Sequence, residues 1–210
     1  MKKVVLFDLD GTLIDSMPAH VKAWRTALRE IGIELDELYI QLHEGEKAEV
    51  TLARLAEEHG LNMSPKQLKD LIKRKRDLYR NDAPTGLNTE ARRLVEELCL
   101  QEIMCCIVTG SIRANMNGVV STEERALFRH IITADDYTTG KPAPDPYLIA
   151  VEQTGFTAAD CLALENAPFG VRSAKAAGLY TVAITTTLPA EHLREADAII
   201  TCHEDLKRLL

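Results

Sequence analysis

Two carboxylates two residues apart, Asp8 and Asp10, stand directly after the apolar run Val4-Val5-Leu6-Phe7 and before Gly11-Thr12. In extended backbone, residues i and i+2 project to the same side, so both acids can converge on one point. Asp and Gly also end strands as ordinary turn residues. Two anions crowded beside a buried strand, however, repel each other and call for a cation or a shared proton. Three more polar clusters follow apolar runs in the same way. Thr109-Gly110-Ser111 offers hydroxyls and backbone N–H donors suited to a phosphate oxygen, although such residues also serve as plain helix caps. Gly140-Lys141-Pro142-Ala143-Pro144-Asp145 sets Lys141 on chain stiffened by proline, with Asp145 expected to cap the next helix. Glu165-Asn166 brings oxygen ligands to the edge that Asp8 and Asp10 occupy, and an all-oxygen donor set beside a phosphate loop favours a hard cation, Mg²⁺.

The elements that must position these clusters follow from periodicity. Val4 to Phe7 reads as a short strand buried on both faces of a parallel sheet. Residues 17–81 carry helical periodicity only. From Gly86 onward short apolar strands (104–109, 131–133, 161–164, 181–184, 198–201) alternate with helical stretches (89–100, 144–154, 169–177), which predicts βαβ units. The fold class expected is α/β: a Rossmann-like three-layer parallel sheet core with a small inserted helical unit. The core is assigned to residues 1–15 and 84–210 and the insertion to 16–83, since Asp82, Pro84 and Gly86 interrupt the helical pattern.

The composition of the 210 residues, 46% hydrophobic and 27% charged, is that of an ordinary globular protein. A net charge of -7 argues against nucleic acid as a partner. Lys73-Arg74-Lys75-Arg76 lies in a helix expected over 65–80, where four side chains fan around the axis; most must be solvated, while one or two can face an anionic ligand. No run approaches the ~18 apolar residues of a membrane span and no signal peptide is visible, so a cytoplasmic protein with no membrane partner is expected. Five cysteines without metal-site spacing read as reduced residues, with Cys105 and Cys106 on opposite faces of a strand.

Taken in order, Asp8-Leu9-Asp10-Gly11-Thr12, Thr109-Gly110-Ser111, Lys141 and Glu165-Asn166 resemble the four motifs of the haloacid dehalogenase-like hydrolase superfamily, in its β-phosphoglucomutase and phosphatase branch. The resemblance covers nearly the whole chain, and the helical insertion resembles the family's small cap. It implies that Asp8 is a nucleophile forming an aspartyl-phosphate and that Asp10 is the general acid, then the base for water. It also implies that Thr109, Gly110 and Ser111 hold the phosphoryl group and that Lys141 offsets charge on Asp8. Mg²⁺ is the implied cofactor, with Asp8, the Asp10 carbonyl, Glu165 and Asn166 as its ligand set. One departure stands out: the common fourth motif is Glu-Asp, and Asn166 keeps a carbonyl ligand while removing a charge.

The cap segment His43-Glu44-Gly45-Glu46-Lys47 resembles a subset of the family that hydrolyses inorganic pyrophosphate, where a cap glutamate, here Glu44, helps bind the metal. Glu44 and Glu46 read equally well as solvated residues at a helix N-terminus. The same segment has no arginine where mutases usually bind a second phosphate; Lys47 or Lys75 would have to compensate. His20, four residues before Trp24, resembles a feature near the nucleophile, though a histidine beside a tryptophan is also common packing. The expectation is a monomeric Mg²⁺-dependent phosphohydrolase acting on a small phosphorylated substrate, pyrophosphate or a sugar phosphate. The alternatives are a β-phosphoglucomutase-like phosphomutase and a non-catalytic phosphate-binding protein.

Overall fold

A computed structural model of the chain describes residues 2–210. Val4–Phe7 forms β1, and all four side chains are buried because the strand lies in the middle of the sheet. The other strands are β2 (Met104–Val108), β3 (His130–Ile132), β4 (Cys161–Glu165), β5 (Tyr180–Ile184) and β6 (Ala198–Ile200). They form one sheet in the order β3-β2-β1-β4-β5-β6, every neighbouring pair parallel. The order reverses between β1 and β4, and the crevice beyond the carboxyl ends of those two strands is where open α/β sheets bind ligands. Asp8 leaves β1 there, its N–H bonded to the Leu164 carbonyl at 2.9 Å, while Glu165 ends β4.

Four helices lie between β1 and β2: α1 (Met17–Arg29), α2 (Glu37–Leu42), α3 (Ala48–Glu58) and α4 (Pro65–Asp82). Pro18 opens α1, and a capping box between Ser64 and Gln67 opens α4. Their apolar stripes close around Trp24, Leu28, Leu52, Leu55 and Ile72, a core of their own. The chain returns to the sheet through 83–88, where the Gly86 N–H bonds the Val119 carbonyl and the Asn88 N–H bonds the Leu13 carbonyl. Asn88 caps α5 (Thr89–Leu100) through Ala91 N–H at 2.8 Å.

Beyond β2 come α6 (Arg113–Val119), α7 (Thr122–Arg125), α8 (Asp145–Thr154) and α9 (Pro168–Ala176). One face of the sheet packs on α5 and α6, the other on α8 and α9, giving three layers. Cys105 belongs to the first core and Cys106 to the second, so the two do face opposite ways; all five cysteines are free.

Strand ends shift by a residue from the sequence reading, and α4 runs two residues further, to Asp82. Asp145 is a correction. Pro144 holds the cap position and no side-chain cap bond forms, so Asp145 is the first helical residue, where its charge suits the helix dipole instead. No helix among the described residues is long and apolar enough to cross a membrane.

Candidate active site

The four polar clusters meet at the carboxyl edge of the sheet. Lys141 is fully buried and its ammonium bridges three oxygens: Asp8 Oδ1 at 2.6 Å, Glu165 Oε1 at 2.6 Å and the Val108 carbonyl at 3.0 Å. Tyr147 of α8 donates to the same Glu165 oxygen at 2.5 Å. One ammonium faces two carboxylates, so the group carries a net negative charge inside the protein. Burial and the neighbouring Glu165 therefore push the Asp8 carboxyl well up, while burial is outweighed at Lys141, which the two acids hold firmly protonated. Asp8 Oδ2 is buried and has no hydrogen-bond partner. An orphaned carboxylate oxygen in a negatively charged pocket fits a cation.

Asp10 is gripped differently. Its Oδ1 receives Ser16 Oγ at 2.7 Å, His20 Nε2 at 3.1 Å and Tyr79 Oη at 3.2 Å, and its Oδ2 receives Ser111 Oγ at 2.8 Å. Burial alone would raise its pKa, but His20, Ser16 and Ser111 together hold it well below the usual carboxylate range. Three of these donors come from the helical insertion or its first hinge. The Tyr79 ring also stacks on His20, centroids 4.0 Å apart. Tyr79 escaped the sequence reading although it lies four residues after Lys75, which places both on one face of α4.

Lys75 is the one member of the basic run that turns inward. It is buried against the Trp24 ring at 5.0 Å, and burial lowers its pKa. Lys73 pairs with Asp77, Arg74 with Glu30 and Arg76 with Glu49 on the surface. Thr109 is buried and its hydroxyl accepts the Ser111 N–H at 3.0 Å, which shapes the phosphate-type loop.

The 43–47 segment bends over this loop. A Cβ placed on Gly110 would stand 2.5 Å from the Gly45 carbonyl oxygen, and one placed on Gly45, where φ is +87°, would stand 3.0 Å from the Lys141 side chain. Only paired glycines allow so close an approach. Glu44 reaches inward: one ligand atom each from Asp10, His20 and Glu44 lie within 4.8 Å of one another. Glu46 also borders the cavity, its carboxylate held by Thr51 and Arg54. His43 meets Phe169 of α9 edge-on at 5.1 Å. Between these walls remains a cavity of about 50 Å³, bordered by His20, Trp24, Glu44, Lys75 and Ser111.

Two of the expected positions are engaged by protein groups. Lys47 donates to the Tyr137 carbonyl at 2.5 Å and lies over that ring at 4.6 Å, so its charge is drawn away from the cavity. Glu165, expected among metal ligands, gives one oxygen to both Lys141 and Tyr147, and its carboxylate abuts the turn at Gly170, within 2.2 Å of where a Cβ would stand. It orients Lys141. Asn166 is fully buried, its Oδ1 3.3 Å from the Thr12 hydroxyl. Asp8 Oδ2 and Asn166 Oδ1 are oxygen donors of the kind a hard cation takes.

Comparison with known proteins agrees with the fold. The haloacid dehalogenase-like hydrolase family profile matches residues 5–184. Validoxylamine A 7'-phosphate phosphatase of Streptomyces hygroscopicus subsp. limoneus is 30% identical over 203 residues, covering 95% of this chain and 93% of its own. Hexitol phosphatase A of Escherichia coli (strain K12) is 30% identical over 211 residues, covering 94% and 90%. Among solved structures, a hydrolase from Pseudomonas syringae superposes with a TM-score of 0.85 at 26% identity, covering 99% of this chain and 97% of that one. The chain belongs to the haloacid dehalogenase-like hydrolase family, in its phosphatase and β-phosphoglucomutase branch. It is a hydrolase.

Proposed function

We propose that the protein is a Mg²⁺-dependent phosphohydrolase that passes a phosphoryl group through Asp8, acting on a small substrate, inorganic pyrophosphate or a sugar phosphate. Residues 16–83 act as a cap over the core formed by 1–15 and 84–210. The observation that carries the reading is the split environment of the Asp8 carboxylate: Oδ1 is fixed by Lys141 and Oδ2 is buried without a partner. A carboxylate so held is oriented for attack, and its charge awaits a cation.

In the first half-reaction an Asp8 oxygen attacks phosphorus while the bond to the leaving oxygen breaks and Asp10 protonates that oxygen. In the second, Asp10 takes a proton from water, which attacks the aspartyl-phosphate and frees phosphate and Asp8. The donors around Asp10 favour its ionised form, the form the second step needs. The first step needs the acid, and an arriving phosphate anion in the same pocket raises the Asp10 pKa. Thr109 and Ser111 orient the phosphoryl oxygens, and Lys141 keeps Asp8 in line. When bound, Mg²⁺ neutralises charge on Asp8 and the phosphoryl group; Asp8, Asn166, the Asp10 carbonyl and Glu44 would hold it.

Pyrophosphate is supported by the inward reach of Glu44, which returns the charge missing at Asn166. Sugar phosphates are supported by the relatives named for them. Of the two lysines that could hold a second phosphate for a mutase, Lys47 is engaged by Tyr137, and Lys75 borders the cavity.

The test is phosphate release with Mg²⁺ across pyrophosphate and small phosphate esters, repeated with Glu44→Ala and Asp8→Asn. Mg²⁺-dependent release that vanishes in Asp8→Asn is expected, and loss of pyrophosphate turnover alone in Glu44→Ala assigns the substrate. Unchanged turnover in Asp8→Asn would overturn the reading. Turnover of β-glucose 1-phosphate that requires glucose 1,6-bisphosphate and frees little phosphate would point to the mutase.

A further inference from the structure

Asn166 is fully buried directly beyond β4, and both ends of its amide are engaged. Oδ1 accepts from the Thr12 hydroxyl at 3.3 Å, and Nδ2 donates to the Thr187 hydroxyl at 2.8 Å. Thr187 lies in the Thr185-Thr186-Thr187 loop that follows β5. That loop is tied to the nucleophile loop as well, since the Thr186 hydroxyl donates to the Gly11 carbonyl at 2.5 Å. Gly11 closes over the pair with φ +82°: a Cβ there would lie 2.1 Å from Asn166 Nδ2 and 2.6 Å from Thr187 Oγ1. The contact is thus locked between two loops from opposite sides of the sheet's centre.

A carboxylate offers oxygen at both ends, whereas an amide offers oxygen at one and N–H at the other. An asparagine at a cation site therefore works in only one of its two orientations. A buried NH₂ needs an acceptor, and leaving it unpaired costs the desolvation of that group. Remove the Thr187 hydroxyl, and the NH₂ finds its acceptor by turning to Thr12, which puts nitrogen where oxygen now sits. An N–H facing a cation repels it.

We propose that Thr187 is a positioning residue: its hydroxyl takes up the Asn166 NH₂ and thereby keeps the amide oxygen turned to the Mg²⁺ site. This is what lets asparagine stand where the sequence pattern otherwise has aspartate. The inference rests on the metal role given to Asn166 above.

Calorimetric titration of the full chain with Mg²⁺ alone, without substrate, tests it. Thr187→Val lowers Mg²⁺ affinity about tenfold or more, the range found when the partner of a metal ligand is removed. Thr187→Ser restores it. In an Asn166→Asp background the same Thr187→Val change costs far less, because a carboxylate presents oxygen either way round. Wild-type affinity in Thr187→Val, or an equal loss in both backgrounds, would overturn the proposal. If the unaltered protein binds no Mg²⁺, every variant is silent and the metal reading itself fails, an outcome distinct from a normal wild-type titration with an unaffected Thr187→Val.

Discussion

Lys75 Nζ lies 2.9 Å from His20 Nδ1, and this contact fixes which nitrogen of the ring carries the proton. An ammonium only donates, so Nδ1 accepts and Nε2–H is left to donate to Asp10 Oδ1 at 3.1 Å. Both Lys75 and His20 belong to the helical insertion. Through them the orientation of Asp10 depends on where the insertion sits.

Replacing Lys75 with Met separates activity from stability. Without the ammonium, His20 is free to adopt the other tautomer, and proton transfer by Asp10 suffers; a fall in kcat of roughly tenfold to a hundredfold is expected, up to the lower end of the ~10²–10⁴ that general acid–base groups supply. Stability does not fall, because a buried ammonium with no carboxylate partner is replaced by an apolar chain of similar length. The sign with pH follows. Burial lowers the folded-state pKa of Lys75 below its unfolded value of ~10.5, so the unfolded state holds the proton more tightly. The native protein is penalised below the lowered pKa and gains stability as pH rises toward ~10.5. Chemical denaturation of both proteins across that alkaline window should show a rise that Lys75→Met lacks; parallel curves would refute it.

Lys141→Met leaves Asp8 and Glu165 buried with no cation between them. Breaking such a pair typically costs about 3–5 kcal/mol. Urea denaturation should show a loss of that order, partly recovered by Mg²⁺, which binds the native form only. A variant as stable as the parent would mean that the Lys141 bridge does not carry the charge balance described.

Gly110→Ala is expected to act on cap closure alone. The added methyl meets the Gly45 carbonyl only while the cap loop lies over the core. Thermal stability and Mg²⁺ affinity should stay near the parent values, while kcat falls at least about tenfold because a lid that cannot seat fails to complete the site. Ordinary turnover in Gly110→Ala would show that Gly45 need not come this close during catalysis.

Much of this arrangement was legible in the sequence because its parts are local. An apolar run ending in a polar pair announces both a central strand and the residue at its tip, which is how Asp8, Thr109 and Glu165 were found. Lys75 was legible as one of four cations that had to fan around a helix. What was hidden depends on contacts across long stretches of chain. Thr187 and Tyr147 touch the fourth motif from the loop after β5 and from α8, and nothing in their own neighbourhoods marks them. His203 is the same kind of residue, its Nε2 donating to the Thr12 carbonyl at 2.8 Å from the far end of the chain. The partners of Glu165 and Lys47 were hidden for the converse reason, since a charged side chain shows its type in sequence but not the partner that engages it.

We expect Asp8 to become phosphorylated during turnover. An acyl phosphate is reduced by borohydride to the alcohol, so quenching the enzyme with borohydride during steady-state turnover with Mg²⁺ converts a phosphorylated aspartate to homoserine, which peptide mass spectrometry locates. Homoserine is expected at position 8, only when substrate and Mg²⁺ are both present and at no other aspartate. Rapid turnover with position 8 unmodified, together with full activity in Asp8→Asn, would contradict it.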